Sequence, residues 1–446
     1  MNSKLIPNIA LSFITLLASC ALPLNSTIAL EKSPTLLKSN SLQLSQNTTK
    51  SISTEQIKQV AKTQNATLVQ YSLMTDKTQE LELAIWVIKP TGEVTMRRVD
   101  LKALKQKSKT SLAELITKTN SKFNSGNYFN KGGISIGKSS QNKSISIELK
   151  QLHQVLIQPI ADLLPKQPEE RVIFIPQNKL FLVPFAALQD NNGKYLIEKH
   201  TISTAPSIQA LDLLHQRKIR RNNQKSFVPI TMTDDELLIV GNPTAPKVSL
   251  KPGGESCNLL PLLGAEREAN AIANIFKTQA LTGDAATETA IVDKMSQARI
   301  IHLATYTFPF ANSSASKDCN GEDTTGVIAL ASSNQDDGWL RSEEIQKLNL
   351  KADLVVLAGC DTAVGRITGD GVIGLSRAFL GAGADSVIGS LWYVSDESTA
   401  SLMTEFHIKL NKNTDKAGAL RQAMLEPMKK NHTQSVWAGF SLVGLL

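Results

Sequence analysis

The rhythm of apolar and polar positions changes twice along this chain. Residues 30–60 are rich in Ser, Thr, Asn, Gln and Lys and show no apolar period, which reads as a tether without a core. From Thr67 the segments TLVQYSL and LELAIWVIK alternate or run apolar. The turn residues PTGE, 90–93, then lead into VTMRRVDL, so a small antiparallel meander is expected. A helix is expected around 111–118, a long polar loop over 120–145, and then a helix through ISIELKQLHQVLIQPIADLL, bent at Pro159. After Pro168 short apolar runs alternate with amphipathic ones. Strands are predicted at 172–175, 237–240, 300–305, 354–358 and 386–391. Helices are predicted at 265–276, 288–296, 371–380, 396–410 and 417–429. Apolar runs without alternation suit strands covered on both faces, and strand–helix alternation argues for an α/β layered sheet.

The first 29 residues follow a different pattern. Lys4 precedes an apolar run from Leu5 to Leu24, and small residues follow at Ser26-Thr27-Ile28-Ala29. That is the layout of a secretory signal. Within it, Leu17-Ala18-Ser19-Cys20 resembles a bacterial lipobox, in which Cys20 would be acylated. Acylation at Cys20, cleavage near Ala29 and an uncleaved membrane anchor stand as three readings, and all three export the body of the protein. The expected order is therefore signal over 1–29, flexible polar tether over 30–64, β-rich extension with a helix over 65–165, and an α/β domain over 166–446.

Composition adds three limits. The 446 residues are 41% hydrophobic and 20% charged, which suits a folded chain rather than a disordered one. The net charge of +8 is spread out, with its densest run, RKIRRNNQK, at 217–225. No aromatic residues interleave with it, so it is read as a solvated loop and no nucleic-acid partner is expected. Export also changes the cysteine arithmetic. Besides Cys20, the chain holds Cys257 and Cys319 in polar stretches and Cys360 on an apolar run. One disulfide, Cys257–Cys319, with Cys360 free, and three unpaired thiols are both open readings.

In an open α/β sheet, ligands gather at the carboxyl ends of strands. Cys360 ends the run DLVVLAGC, and IIHLATYTF, 300–308, carries His302 near its start and Tyr306 near its end. A nucleophilic cysteine needs its thiolate, and a neighbouring imidazole is the usual means of forming it. At this point the chain resembles the CHAT domain, a caspase-like cysteine peptidase module. The likeness runs through RVIFIPQNKLFLVPFAAL (171–188), LPLLGAEREANAIANIF (260–276), IIHLATY (300–306), ADLVVLAGCDTAVG (352–365), GVIGLSRAFLGAGADSVIGSLWYVSDESTASLM (371–403) and WAGFSLVG (437–444).

The resemblance implies a mostly parallel caspase-like sheet with flanking helices, preceded by the small β-rich extension. It places the catalytic cysteine at Cys360, in Ala358-Gly359-Cys360-Asp361-Thr362. It places the catalytic histidine at the fifth residue of a His-x-Ala-Thr-His-Gly motif. That motif reads His302-Leu303-Ala304-Thr305-Tyr306-Thr307 in this chain, so Tyr306 stands at the catalytic position and Thr307 at the glycine. His302 lies four residues away, about 13 Å along a strand, too far to serve as base for the same atom. It is read as a core or strand-end residue, and His407 and His432 as packing or surface residues.

A phenol with a reference pKa near 10 is a poor base, and a thiol near 8.5 without an imidazole stays mostly protonated. The expectation is an impaired peptidase homologue acting as a peptide- or protein-binding module. The alternative is a working cysteine endopeptidase that uses Cys360 with another base. Asp361, Asp396 and Glu397 offer an acidic pocket for a basic peptide side chain, or, for the last two, the favoured first turn of a helix. GDGVIG, 369–374, matches G-x-G-x-x-G but does not follow its strand directly, so no nucleotide cofactor is expected. No His/Cys cluster has zinc spacing, so no metal is expected. Full members of the family often carry tetratricopeptide repeats ahead of this module. Residues 30–64 are too short for two, so none are expected in this chain.

Overall fold

The computed structural model describes residues 52–76, 79–124, 140–223, 234–246, 248–249, 256–257, 259–308, 326–359, 362–363, 366–368, 371–412 and 415–446. One compact unit runs from Thr54 to Leu446. The signal segment, most of the tether and Cys20 lie outside the described residues.

In chain order the strands are β1 (Ala66–Asp76), β2 (Gln79–Ile88), β3 (Val94–Asp100), β4 (Arg171–Ile175), β5 (Thr201–Thr204), β6 (Leu237–Pro243), β7 (Val248–Ser249), β8 (Ser256–Cys257) and β9 (Leu281–Gly283). They continue with β10 (Ile300–Ala304), β11 (Thr307–Phe308), β12 (Val327–Ala329), β13 (Trp339–Arg341), β14 (Leu354–Leu357), β15 (Arg366–Thr368), β16 (Gly371–Ile373), β17 (Ser386–Ser390) and β18 (Phe440–Gly444). Eleven of them form one sheet in the order β3-β2-β1-β4-β5-β18-β17-β14-β10-β6-β9. The meander β1–β2–β3 is antiparallel, and β1 joins β4 in parallel, so the β-rich extension and the α/β region share one sheet. The block β17, β14, β10, β6 and β9 is parallel throughout. Every residue of β10, β14 and β17 is buried, as apolar runs covered by helices on both faces require.

The long amphipathic helix Leu263–Phe276 covers this block through Ala265, Ala269, Ile272 and Ala273, the three-and-four spacing of one buried face. The helix Asp396–Lys412 packs against it, with Leu402, Met403 and Phe406 buried. All five predicted strands are present within a residue or two, apart from β6, which runs on to Pro243. The helices at 288–295, 396–412 and 416–429 also fall where they were predicted.

Several expectations change. The tether ends in a helix, Thr54–Gln64, which buries Val60 and Ala61 and packs against β1. The helix expected over 371–380 begins only at Leu375, because Gly371–Ile373 pairs with β15 as a hairpin. Residues 201–211, where no element was predicted, hold both strand β5 and the start of a sixteen-residue helix, Ile208–Asn223. That helix also overturns the solvated loop at 217–225. Ile208, Leu211 and Leu214 are buried at a spacing of three, and Arg217 and Arg221 prolong the same stripe. The Arg217 guanidinium donates to the Leu380 and Ala384 carbonyls, and Arg221 reaches Asp353 at 2.9 Å and Asp385 at 2.5 Å. Arg217 and Arg221 therefore belong to the inner face of a packed helix, while Ile219 and Arg220 between them are exposed.

Candidate functional site

Parallel pairing sets the site. His302 lies opposite Val356, and the Ala358 N–H donates to the Leu303 carbonyl at 2.9 Å, so β10 and β14 stay in step to their carboxyl ends. A Cβ added at Gly359 would come within 2.6 Å of both the Thr305 carbonyl oxygen and Thr307 Oγ1. The residue just before Cys360 therefore presses on both flanks of Tyr306, and only glycine permits that approach. Cys360 and Asp361 themselves lie outside the described residues, as does Cys319. Cys257 is on β8, with its side chain outside them.

The flanks of the cysteine step are clamped. Ser390, the last residue of β17, donates its hydroxyl to the Gly359 carbonyl at 2.6 Å and accepts the Thr362 N–H at 3.1 Å. Thr362, 1% exposed, donates to the Leu357 carbonyl and accepts the Ser390 N–H at 2.7 Å. A buried polar side chain is stable only when bonded in this way. Here those bonds tie residues 359 and 362 to the ends of β14 and β17.

Tyr306 is half-buried, and its hydroxyl donates to the Leu260 carbonyl at 2.9 Å. Its own carbonyl accepts the Ala329 N–H at 2.9 Å, and the neighbouring Thr305 hydroxyl donates to the Ala329 carbonyl at 2.6 Å. The small sheet β11–β12–β13 thus prolongs this segment beyond β10. The Tyr306 ring lies against Phe308 at 6.5 Å between centroids, and Phe308 meets Trp339 edge-on at 5.8 Å.

His302 is a core residue, as expected, but not an apolar-packed one. Its Nε2 is 2.8 Å from Glu268 Oε1, and its Nδ1 is 3.2 Å from His407 Nε2. Glu268 is 1% exposed and both histidines 0%, so the three form a closed polar chain under β10. Burial pushes the Glu268 carboxyl up from its ordinary value, against the pull of His302. Burial also holds the His407 imidazole well below its ordinary value, so it stays neutral. Reading the sequence missed Glu268. The available signal was a lone carboxylate in the buried stripe 265-268-269-272-273, which demands a partner inside the core. His432 is exposed, after the helix Lys416–Lys429.

Asp396 and Glu397 occupy the first turn of the helix Asp396–Lys412, where carboxylates are favoured. Asp396 Oδ2 accepts the Gly264 N–H at 2.6 Å, and the exposed Glu397 pairs with Arg267. Both carboxylates therefore hold the start of the neighbouring helix. No group of three or more His, Cys, Asp or Glu side chains suited to a metal ion occurs among the described residues.

Residues 146–445 match the family model described as the CHAT domain. Curated relatives include tetratricopeptide repeat protein 28 of Homo sapiens, 27% identical over 328 residues, and that of Mus musculus, 27% identical over 348. The matches cover 66% and 70% of this chain but only 13% and 14% of the relatives' length. Among solved structures, a separase–securin complex from Saccharomyces cerevisiae aligns with a TM-score of 0.52 at 11% identity, over 88% of this chain and 30% of that one. The Arg-specific cysteine proteinase gingipain R aligns over 68% of both chains with a TM-score of 0.38 at 13% identity. At such identities the separase likeness is one of fold.

Proposed function

This chain belongs to the CHAT-domain family and has a caspase-like fold, and from that premise we propose that it is an exported peptide- or protein-binding module with impaired peptidase chemistry. The observation that carries the reading is the state of position 306. A phenol stands where the family places its imidazole, and its hydroxyl donates to the Leu260 carbonyl rather than accepting a proton from a thiol. The two imidazoles packed at β10, His302 and His407, are engaged with Glu268 and each other in the core. A general base contributes about 10²–10⁴-fold, so its loss leaves little proteolysis from a strand-end thiol. Export rests on the signal-like segment 1–29, and acylation of Cys20 would attach the module to a membrane surface.

One observation favours the alternative, a cysteine endopeptidase with Cys360 as nucleophile and another base. Ser390 and Thr362 still hold both flanks of the Cys360–Asp361 step. The test is labelling by a thiol-reactive peptide and peptide cleavage, compared in wild type, Cys360→Ala and Tyr306→His. The proposal expects Cys360-dependent labelling or cleavage only in Tyr306→His. Cleavage by wild type that disappears in Cys360→Ala would establish the alternative.

A further inference from the structure

We infer that the surface beside Tyr306 seats an apolar side chain of the bound peptide, not a basic one. This rests on the peptide-binding reading above and adds the ligand class. Leu260 is 71% exposed and Leu263 61%. A single exposed leucine is ordinary, but these two belong to one short segment that is bonded to the site through Tyr306 and Leu260. From Tyr306 the apolar surface continues through the Phe308 ring to Trp339. Three segments, 260–263, 306–308 and 339, thus contribute to one patch.

Position argues for a peptide as the occupant. The patch begins at Tyr306, whose flanking residues touch Gly359, one residue before Cys360. A chain laid across the carboxyl ends of β10 and β14 reaches it within a residue or two. Charge argues for an apolar residue. Two of the three carboxylates that would have received a basic side chain are engaged, Asp396 by the Gly264 N–H and Glu397 by Arg267; the third, Asp361, lies outside the described residues. The Tyr306 hydroxyl is directed to a backbone carbonyl. What the patch presents is aliphatic and aromatic area, with tyrosine and tryptophan as the residue types that anchor interfaces.

The experiment uses the full chain and a phage-displayed random heptapeptide pool as the probe, with wild type and a Leu260→Ser/Leu263→Ser variant as targets. Both leucines are exposed, so the variant keeps its fold, checked by circular dichroism. The inference expects enriched peptides to share Leu, Ile, Met or Phe at one position, and a synthetic consensus peptide to bind the variant about tenfold more weakly. Enrichment of Arg or Lys, or equal affinity for both targets, overturns the apolar seat while leaving peptide binding intact. Absence of enrichment over an unrelated control protein overturns peptide binding itself. Sedimentation of both targets adds one further outcome: a wild-type dimer that becomes a monomer in the variant would make the patch a contact between copies and overturn the inference.

Discussion

The two ends of the central strands are built on opposite plans. At the amino ends of β10, β14 and β17 stand Arg299, Asp353 and Asp385, one residue before each strand. Arg299 reaches Asp353 through Nε at 2.7 Å, Arg221 bridges Asp353 and Asp385, and Lys416 donates to Ser386 Oγ at 2.7 Å and to the Asp353 carbonyl at 3.2 Å. At the carboxyl ends, Tyr306 is bonded to a backbone carbonyl and Leu260 and Leu263 face solvent. One end closes its charges on each other; the other leaves apolar area open. In α/β sheets ligands bind at the carboxyl ends, and a closed amino end keeps those ends fixed.

The largest expected effect comes from breaking the closed end. Asp385 is fully buried, and burial lifts its carboxyl above the ordinary range despite Arg221 and Lys218. Arg221→Ala removes the partner at 2.5 Å and leaves Lys218 at 3.8 Å. A buried charge that loses its partner costs about 3–5 kcal/mol. Because Lys218 remains, a loss of about 3 kcal/mol in urea unfolding is expected. A change under about 0.5 kcal/mol would show that the amino end is not the clamp.

Acid probes another amino end. His200 directly precedes β5, is 6% exposed, and is pushed down to about 4, first by burial and then by the positive charges of Lys199 and Arg421. The unfolded chain takes up a proton near pH 6.5, whereas the folded chain does so near 4. The stability that a neutral His200 provides is thus present above pH 6.5 and is lost as pH falls toward 4, on the order of 3 kcal/mol in all. His200→Gln should flatten the stability–pH curve over that window. If the wild-type and variant curves run parallel from pH 6.5 to 4, His200 is not the source.

At the carboxyl end also lies the junction of the two covering helices. A Cβ at Gly264 would fall 2.4 Å from Asp396 Oδ2, so Gly264→Ala must push the carboxylate off the backbone N–H it caps. Crowding of this kind costs about 1–3 kcal/mol. A lower melting temperature is expected, and Asp396→Asn, which keeps an acceptor oxygen at that position, should cost less. Equal losses for the two variants would mean that the contact is not the cause.

What the sequence disclosed follows from how each signal arises. Strands β10 and β14 are mostly β-branched and aliphatic residues, and burial on both faces leaves that signature whatever the tertiary context. The position of Tyr306 was legible because a motif spans only six residues. The helix Ile208–Asn223 was not predicted, because Arg217 and Arg221 sit where apolar residues would mark a buried face. Their partners, the Leu380 and Ala384 carbonyls for Arg217 and Asp353 and Asp385 for Arg221, lie more than 130 residues further along the chain. The engagement of Asp396 and Glu397 was hidden for the same reason, since Gly264 and Arg267 become neighbours only when two helices pack. Leu260 and Leu263 look like ordinary core leucines until the fold places them outside.

The smallest expected effect is also the one that sharpens the comparison most. Tyr306→Phe removes one hydroxyl, half-exposed and bonded to one carbonyl. A net hydrogen bond of this type contributes about 0.5–1.5 kcal/mol, and water can replace it at an exposed carbonyl, so a loss under about 1 kcal/mol is expected. The ring's contact with Phe308 is kept by phenylalanine. If residue 306 were part of the clamp, its replacement would approach the cost of Arg221→Ala, and urea unfolding would show it. A cost under 1 kcal/mol instead means that the fold does not dictate a tyrosine there. Tyrosine at 306 then reflects what occupies the carboxyl end of the strands, and Tyr306→His becomes a test of chemistry uncomplicated by unfolding.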